Sequence, residues 1–229
     1  MGTSEWLFGT YTIGYSMKGA VVLAGGYSTR FGDADKAVAD VAGEPMIRRI
    51  VSTVAPVVDE VVVNAREEQR SVIDGALVDT GFSYRFAFDA VADRGPLSGM
   101  VRGFEAAAAD YTLVVACDMP FVEQGFVETL FDRAAGADAA VPIEQCGDEQ
   151  WLQPLQAVYD TERTLSVARR ALEEGITSPA TAIGRLDIET ISVADASAAD
   201  DRWTLKNVNS PHDLREAERY FSGTPVTDV

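Results

Sequence analysis

The sequence contains little cysteine and no long apolar run. Its two cysteines, Cys117 and Cys146, lie far apart and form no Cys-x-x-Cys pair, so neither a disulfide framework nor a zinc site is predicted. No apolar stretch approaches the ~18 residues of a membrane-spanning helix. Residues 1–16 lack the basic start of a secretion signal. We therefore expect a cytoplasmic protein that does not act at a membrane.

Positive charge is also scarce. The chain has 36 acidic and 19 basic residues, a net charge of −17, and its lysines are Lys18, Lys36 and Lys206. A negative field of this size repels nucleic acids and other polyanions unless a local basic patch overrides it, so no nucleic-acid partner is predicted. The composition resembles that of a halophilic protein, whose surface charge serves solubility in high salt.

The length of 229 residues and the apolar fraction of 47% predict one folded domain. Met17 and Lys18 directly precede the first strand pattern, so we assign the single domain to residues 17–222. Residues 1–16 are interpreted as a non-native or flexible extension, and residues 223–229 as a flexible tail.

Short β-rich runs alternate with longer helical patterns. Strands are predicted at Ala20–Leu23, Glu60–Val63, Tyr84–Phe88, Thr112–Ala116 and Ala139–Ile143, and helices at Met46–Val57, Leu97–Ala109 and Gly125–Ala135. This alternation predicts an α/β fold, a three-layer Rossmann-like sandwich with a mainly parallel sheet and helices on both faces. Ligands of such sheets bind at the carboxyl ends of the strands.

The second half is less regular. The pattern predicts strands at Gln153–Tyr159 and Trp203–Asn207, a helix at Glu162–Glu174, and a solvated loop at Ala194–Asp201. A last helix is expected to begin after the N-cap Ser210 and to end near Phe221.

The loop after the first strand, in VVLAGGYSTRFGDADKAVADVAGEP (21–45), matches neither of two common phosphate-binding patterns. Five residues lie between Gly26 and Gly32, but Asp33 stands where a P-loop has lysine, and Gly25-Gly26 does not begin a Gly-x-Gly-x-x-Gly fingerprint. What remains is a glycine-rich strand end whose backbone N–H groups can approach an anion. The alternative is an ordinary glycine turn beside solvated cations.

This loop resembles the nucleotidyltransferase signature LAGG-x-S-x-R-[MF]-G-x-D-K, with one extra residue before Lys36 and with Phe31 where many members have methionine. The resemblance continues through VVVNA (61–65), a strand ending at Asp89, GPLSG (95–99), ACDMP (116–120) and NVNSPHDL (207–214). Over roughly residues 18–221, the sequence is similar to the molybdenum cofactor guanylyltransferase family.

The resemblance implies an enzyme that transfers GMP from GTP to molybdenum-molybdopterin, releases pyrophosphate and requires Mg²⁺. It also suggests transient contact with molybdopterin-loading proteins or molybdoenzyme chaperones. Two alternatives remain open. One is a related transferase that uses CTP or another phosphorylated acceptor, such as a sugar phosphate or a cobamide precursor. The other is a nucleotide-binding protein without turnover.

Three residues are expected to carry the chemistry. Lys36 and Arg30 would neutralise the β- and γ-phosphates, with surface salt bridges as the alternative role of both. Asp118, just past an apolar strand, would hold Mg²⁺ against the phosphates. Its alternative role is to cap the turn before Pro120.

The remaining expected contacts are to the substrates. The backbone of Leu23, Ala24, Gly25 and Gly26 would receive phosphates. By resemblance, Asn64 and Asp89 would contact the guanine nucleotide, although both residue types also favour turns. Gly95 would open a helix whose N-terminus could face an anion.

Asn207 and Asn209 flank Val208, so on an extended segment they point to one face. The resemblance places them in the catalytic cleft. The single histidine, His212, is expected to be solvated.

Overall fold

A computed structural model describes residues 16–26, 35–89, 95–146, 149–196 and 201–223. Arg30 and Phe31 of the glycine-rich loop lie outside these ranges, as do residues 1–15 and most of the expected tail. No helix in the described ranges has the length and apolar character needed to cross a membrane.

One large sheet organises the described residues. Its strands are β1 (Lys18–Leu23), β4 (Glu60–Ala65), β5 (Arg85–Phe88), β6 (Tyr111–Ala116), β7 (Ala139–Cys146), β8 (Glu149–Leu152), β9 (Gln156–Asp160) and β10 (Ile188–Ser192), while β2 (Asp40–Val41) and β3 (Glu44–Pro45) form a separate ribbon. The strand order is β10-β7-β9-β6-β1-β4-β5, with β8 beside β7. The pairs β1–β4, β1–β6, β4–β5 and β7–β10 are parallel, whereas β9 runs antiparallel to β6 and β7.

Helices cover both faces. They are α1 (Met46–Val54), α2 (Arg70–Leu77), α3 (Pro96–Ala106), α4 (Gln124–Ala134), α5 (Thr161–Glu173), α6 (Pro179–Ile183), α7 (Val193–Ala196), α8 (Asp201–Thr204) and α9 (Pro211–Phe221). One core cluster contains residues of α1, α2 and α4, and the other contains residues of α3, α5 and α6. The mainly parallel three-layer α/β sandwich expected from the sequence is confirmed.

The central strand explains why the layers pack so closely. Val21 and Val22 are fully buried and belong to opposite core clusters, as expected of a parallel strand covered on both faces. A side chain on Gly103 of α3 would place its Cβ 2.3 Å from Val21 Cγ1. This glycine therefore allows α3 to lie directly on β1.

Two expectations for the second half are wrong. The predicted strand Trp203–Asn207 is instead α8 followed by an irregular segment, because the buried Trp203 ring packs 4.9 Å from the Phe121 ring in a small aromatic cluster with α9. The loop expected at Ala194–Asp201 is interrupted by α7 and α8. Strand β9 begins at Gln156, later than expected, because a turn occupies Pro154 and Leu155.

Candidate functional site

The site lies where β1, β4 and β6 end. Ala24, just after β1, donates its backbone N–H to Asn64 O of β4 at 2.8 Å, and Cys117, just after β6, donates to Leu23 O at 3.0 Å. The start of the glycine-rich loop is therefore fixed by both neighbouring strands. This is the sheet edge at which parallel α/β proteins bind ligands.

Lys36 and Asp118 form the charged centre of this edge. Lys36 Nζ donates to Asp118 Oδ2 and to Asn209 Oδ1, each at 2.7 Å. The Lys36 and Asp118 side chains are only 14% and 22% exposed. Three motifs far apart in the sequence thus meet at one ammonium group.

Asp118 does not begin a helix, because the next one, α4, starts at Gln124 with Glu123 at its N-cap. Its backbone oxygen accepts from Val208 N at 2.7 Å, which attaches the 207–209 segment to the end of β6. Asn207 and Asn209 both line a cavity, while Val208 between them is buried. The structure therefore brings Asn209 to Lys36 and places Asn207 in the lining of the cavity.

Asn64 and Asp89 form a second polar group on the same edge. Asn64 is 2% exposed, and its Nδ2 donates to Asp89 Oδ1 at 2.8 Å and to Ala87 O at 3.0 Å. A Cβ on Gly25 would lie 2.4 Å from Asp89 Oδ2, and one on Gly99 would lie 2.5 Å from Asn64 Oδ1. Both glycines are therefore needed for the backbone to approach these two side chains.

Gly95 is the N-cap of α3 and has a φ of +79°, a conformation that favours glycine. One turn into the helix, Gly99 faces Asn64. Gly95 therefore allows α3 to begin at this point, and α3 in turn places Gly99 against Asn64.

Sequence reasoning missed two residues that hold the loop. Gln69 is 2% exposed, and its Nε2 donates to Ala24 O at 2.9 Å and to Asp35 Oδ2 at 2.6 Å. Arg66 Nη1 donates to Gly25 O at 2.7 Å and to Gly26 O at 2.9 Å. These residues join the two described ends of the loop, residues 24–26 and 35. Their place just after β4, at the ligand-binding edge, was the available signal.

A cavity of about 770 Å³ adjoins the charged centre. It lies between β7, the start of α7 and the segment after α8. Its lining residues are Ile143, Glu144, Gln145, Gln153, Ser192, Val193, Ala194, Leu205, Lys206, Asn207 and Asn209. No residue of its β7 wall was singled out from the sequence.

Two pKa shifts describe the surroundings of the centre. Burial, aided by the charge of Asp118, raises the pKa of the Cys117 thiol, so Cys117 remains neutral. Burial would also raise the pKa of Asp213, but hydrogen bonds from Asn209 N and from Ser210 outweigh it and lower that pKa. Asp213 is thus a charged support for Asn209. His212, on the same helix turn, is exposed as expected.

Comparison with known proteins agrees with this fold. The similar proteins are nucleotidyltransferases with the fold of the nucleotide-diphospho-sugar transferases, and this chain has the same fold. Residues 20–185 match the family described as "MobA-like NTP transferase domain", and the chain belongs to this family.

Several relatives carry a more specific name. The chain is 38% identical over 205 residues to a probable molybdenum cofactor guanylyltransferase of Natronomonas pharaonis, covering 88% of this chain and 97% of that protein. It is 33% identical to a protein of the same name from Haloferax mediterranei, covering 86% and 91%.

A solved structure, molybdopterin-guanine dinucleotide biosynthesis protein A from Archaeoglobus fulgidus, is also similar. It aligns with a TM-score of 0.71 and 25% identity, over 90% of this chain and 100% of that one.

Proposed function

We propose that this protein transfers GMP from GTP to the phosphate of molybdenum-molybdopterin in the cytoplasm and releases pyrophosphate. The names of its relatives support this reaction. The observation that carries the proposal is the meeting of Lys36, Asp118 and Asn209 within 2.7 Å contacts at the sheet edge. These residues come from three motifs of the resemblance, two of which are expected to carry the chemistry while the third is expected to lie in the catalytic cleft.

The reaction needs position and charge more than covalent chemistry. An oxygen of the acceptor phosphate attacks the α-phosphorus of GTP, a new P–O–P bridge forms, and the α–β bridge breaks as pyrophosphate leaves. Lys36, held between Asp118 and Asn209, would stabilise the charge that spreads over the phosphates. Backbone N–H groups of the loop at Gly25 and Gly26 would add donors without adding bulk.

The donor set at this edge fits Mg²⁺. Oxygen atoms of Asp118 and Asn209 converge on a cation, the Lys36 ammonium, and Mg²⁺ sites typically combine one or two carboxylates with substrate phosphates and water. Asp118 would hold the ion, which when bound supplies Lewis-acid stabilisation of the phosphate oxygens. Lys36 would remain beside it as the fixed positive charge of the protein.

The Asn64–Asp89 pair would bind the guanine nucleotide. The Asn64 amide is oriented because its Nδ2 donates to Asp89 and to Ala87 O. A carboxylate such as Asp89 can accept from the guanine N1–H and N2–H₂ groups or from a ribose hydroxyl. Glycines at positions 25 and 99 would let the nucleotide lie close to this pair.

Pyrophosphate release tests the proposal when the enzyme is offered each of four nucleoside triphosphates in molar potassium chloride, with molybdenum-loaded molybdopterin, a sugar phosphate or a cobamide precursor as the acceptor. We expect release with GTP and a product whose mass is that of the guanine dinucleotide. Turnover with CTP, a sugar phosphate or a cobamide precursor instead would replace the substrate assignment. Nucleotide binding without pyrophosphate release in the presence of any acceptor would favour a non-catalytic protein.

A further inference from the structure

The cavity beside Asn209 has a polar wall on the β7–β8 hairpin. Gln153 Nε2 donates to Glu144 Oε2 at 2.8 Å, and both residues line the cavity. No hydrogen bond from the described part of the chain is recorded at the other carboxylate oxygen, Oε1. Glu144 therefore presents an oriented acceptor to a ligand.

An exposed aromatic ring lies beside this carboxylate. Trp151 is directly opposite Glu144 in the antiparallel β7–β8 register, so the two side chains share a face of the hairpin. Its side chain is 57% exposed, unlike the buried Trp203. An exposed indole next to a carboxylate that lines the cavity offers a surface on which a flat heterocycle can stack.

The two ends of the cavity differ in their polar groups. Asn209 belongs both to its lining and to the contact with Lys36 Nζ at 2.7 Å. Lys206, another of the three lysines in the chain, lines the cavity as well. A ligand with an anionic arm and a donor-rich ring would thus place its anion near Asn209 and its ring near Glu144.

We infer that this cavity is the acceptor subsite, and that Glu144 recognises the pyrimidine edge of a pterin while Trp151 stacks on its ring. The inference rests on the proposed function. The N3–H and 2-amino groups of a pterin form a pair of adjacent donors, which suits a carboxylate oriented by Gln153. Guanine carries the same donor pair, so the test must separate the two ligands.

Glu144→Gln is the informative variant. A glutamine can still accept from Gln153, but its amide group then presents a donor or a weaker acceptor to the ring. The matched control is Glu149→Gln, which removes the same charge from the same hairpin at a residue outside the cavity lining. Thermal melts of both variants should match the wild type.

We expect Glu144→Gln to raise KM for molybdopterin about tenfold or more, since a hydrogen bond to a charged group is lost. The KM for GTP and the kcat at saturation should remain within twofold, and Glu149→Gln should resemble the wild type. An unchanged acceptor KM would overturn the inference. A raised KM for GTP instead would reassign Glu144 to guanine.

Direct binding separates this inference from the proposed reaction. With pterin-6-carboxylate as the probe, fluorescence anisotropy should rise with the wild type, Trp151→Phe and Glu149→Gln. Binding should weaken at least fivefold with Trp151→Ala, because stacking on an aromatic ring is lost. If the wild type binds the probe more tightly than Glu144→Gln and Trp151→Ala do but releases no pyrophosphate, the reaction fails and the subsite stands. If turnover occurs while Glu144→Gln and Trp151→Ala bind the probe normally, the subsite fails alone. If neither is seen, both fall.

Discussion

The regions on the two sides of the Lys36–Asp118 pair provide space for a ligand by different means. Towards β4 and β5, room exists because side chains are missing: a methyl group on Gly25 or Gly99 would lie within 2.5 Å of a polar oxygen. Towards β7 and β8, room exists as a cavity of about 770 Å³ lined by side chains. The close approach of the backbone shapes the first side, whereas side chains shape the second.

The polar contacts follow the same division. On the β4 side, Asn64 and Gln69 are each 2% exposed and bond to backbone carbonyls as well as to carboxylates. On the β7 side, the Glu144–Gln153 bond lies at an exposed hairpin. Loss of a buried partner leaves an unsatisfied group, whereas loss of an exposed one is compensated by water. Substitutions should therefore cost stability on one side and mainly acceptor affinity on the other.

The largest effect is expected for Asp118→Asn, because Asp118 lies between the two sides, at the centre where Mg²⁺ and the reacting phosphates are proposed to bind. The change keeps size and shape but removes the charge that would anchor Mg²⁺, so kcat should fall by roughly 10²–10³, with little change in the melting temperature. Pyrophosphate release across a Mg²⁺ titration, together with a thermal melt, measures this.

Asp132→Asn provides the matched control for this change, since it removes an equal charge from the exposed face of α4. Near-normal turnover of Asp118→Asn at ordinary Mg²⁺ would eliminate the metal role. A general effect of lost negative charge would instead appear in both variants.

The next effect is expected for Gly99→Ala, which tests the backbone-shaped side directly. The added Cβ would lie 2.5 Å from Asn64 Oδ1 and 3.3 Å from Leu23 Cδ2, so Asn64 must move. We expect a destabilisation of about 1–3 kcal/mol and a KM for GTP raised about tenfold, with the acceptor KM unaffected. Denaturant unfolding and steady-state kinetics measure the two effects.

Gly75→Ala, in the exposed face of α2 with no atom within 4 Å of the added Cβ, is the control. It should stabilise the protein by up to about 1 kcal/mol, because alanine favours a helix over glycine. Equal behaviour of the two variants would contradict a special close approach at Gly99.

A smaller effect on turnover is expected for Gln69→Leu. Leucine cannot donate to Ala24 O or to Asp35 Oδ2, so the two described ends of the loop lose one of the links between them, although Arg66 still contacts both. Asp35 directly precedes Lys36, so Lys36 loses part of its support. The free energy of unfolding should fall by about 1–3 kcal/mol, and kcat should drop severalfold. If kcat is unchanged while stability falls, Gln69 supports the fold without positioning Lys36.

The sequence was a good guide to the centre of the fold. The strands near Ala20–Leu23, Glu60–Val63 and Thr112–Ala116 are continuous apolar runs, a pattern typical of strands that are buried on both faces of a parallel sheet. Their positions in the sequence could therefore be predicted. Helix α9 was marked by its Ser210 cap and by Pro211 at its first position. Local chemistry was sufficient in these places.

The sequence was a poor guide where distant contacts decide the structure. Trp203 favours a strand by propensity, but the aromatic cluster with Phe121 places it in a short helix. Gln69 and Glu144 are single polar residues without a motif, and only the fold shows that one holds the loop and the other lines a cavity. The meeting of Lys36 with Asn209 was implied by the resemblance, not by spacing.

The smallest effect concerns a property that the two sides share, the net charge of −17. At 0.01 M salt the Debye length is about 30 Å, so the acidic groups repel across the molecule, whereas at 1 M it is about 3 Å. Added salt also weakens exposed ion pairs such as Arg170–Glu174, but each of these is worth only about 0–1 kcal/mol. We therefore expect the melting temperature to rise by several degrees between low and molar potassium chloride.

A less acidic variant tests whether charge repulsion causes this rise. In Glu68→Lys/Asp132→Lys, each substitution makes the net charge less negative by two, so the variant should melt higher at low salt and gain less from added salt. Salt screens the Lys36–Asp118 pair less, because this pair is mostly buried. The activities of the site variants relative to the wild type should therefore depend less on salt than the melting temperature does. A melting temperature independent of potassium chloride in the wild type would contradict the halophilic interpretation of the surface, and an equal salt response in the less acidic variant would show that the effect does not come from charge repulsion.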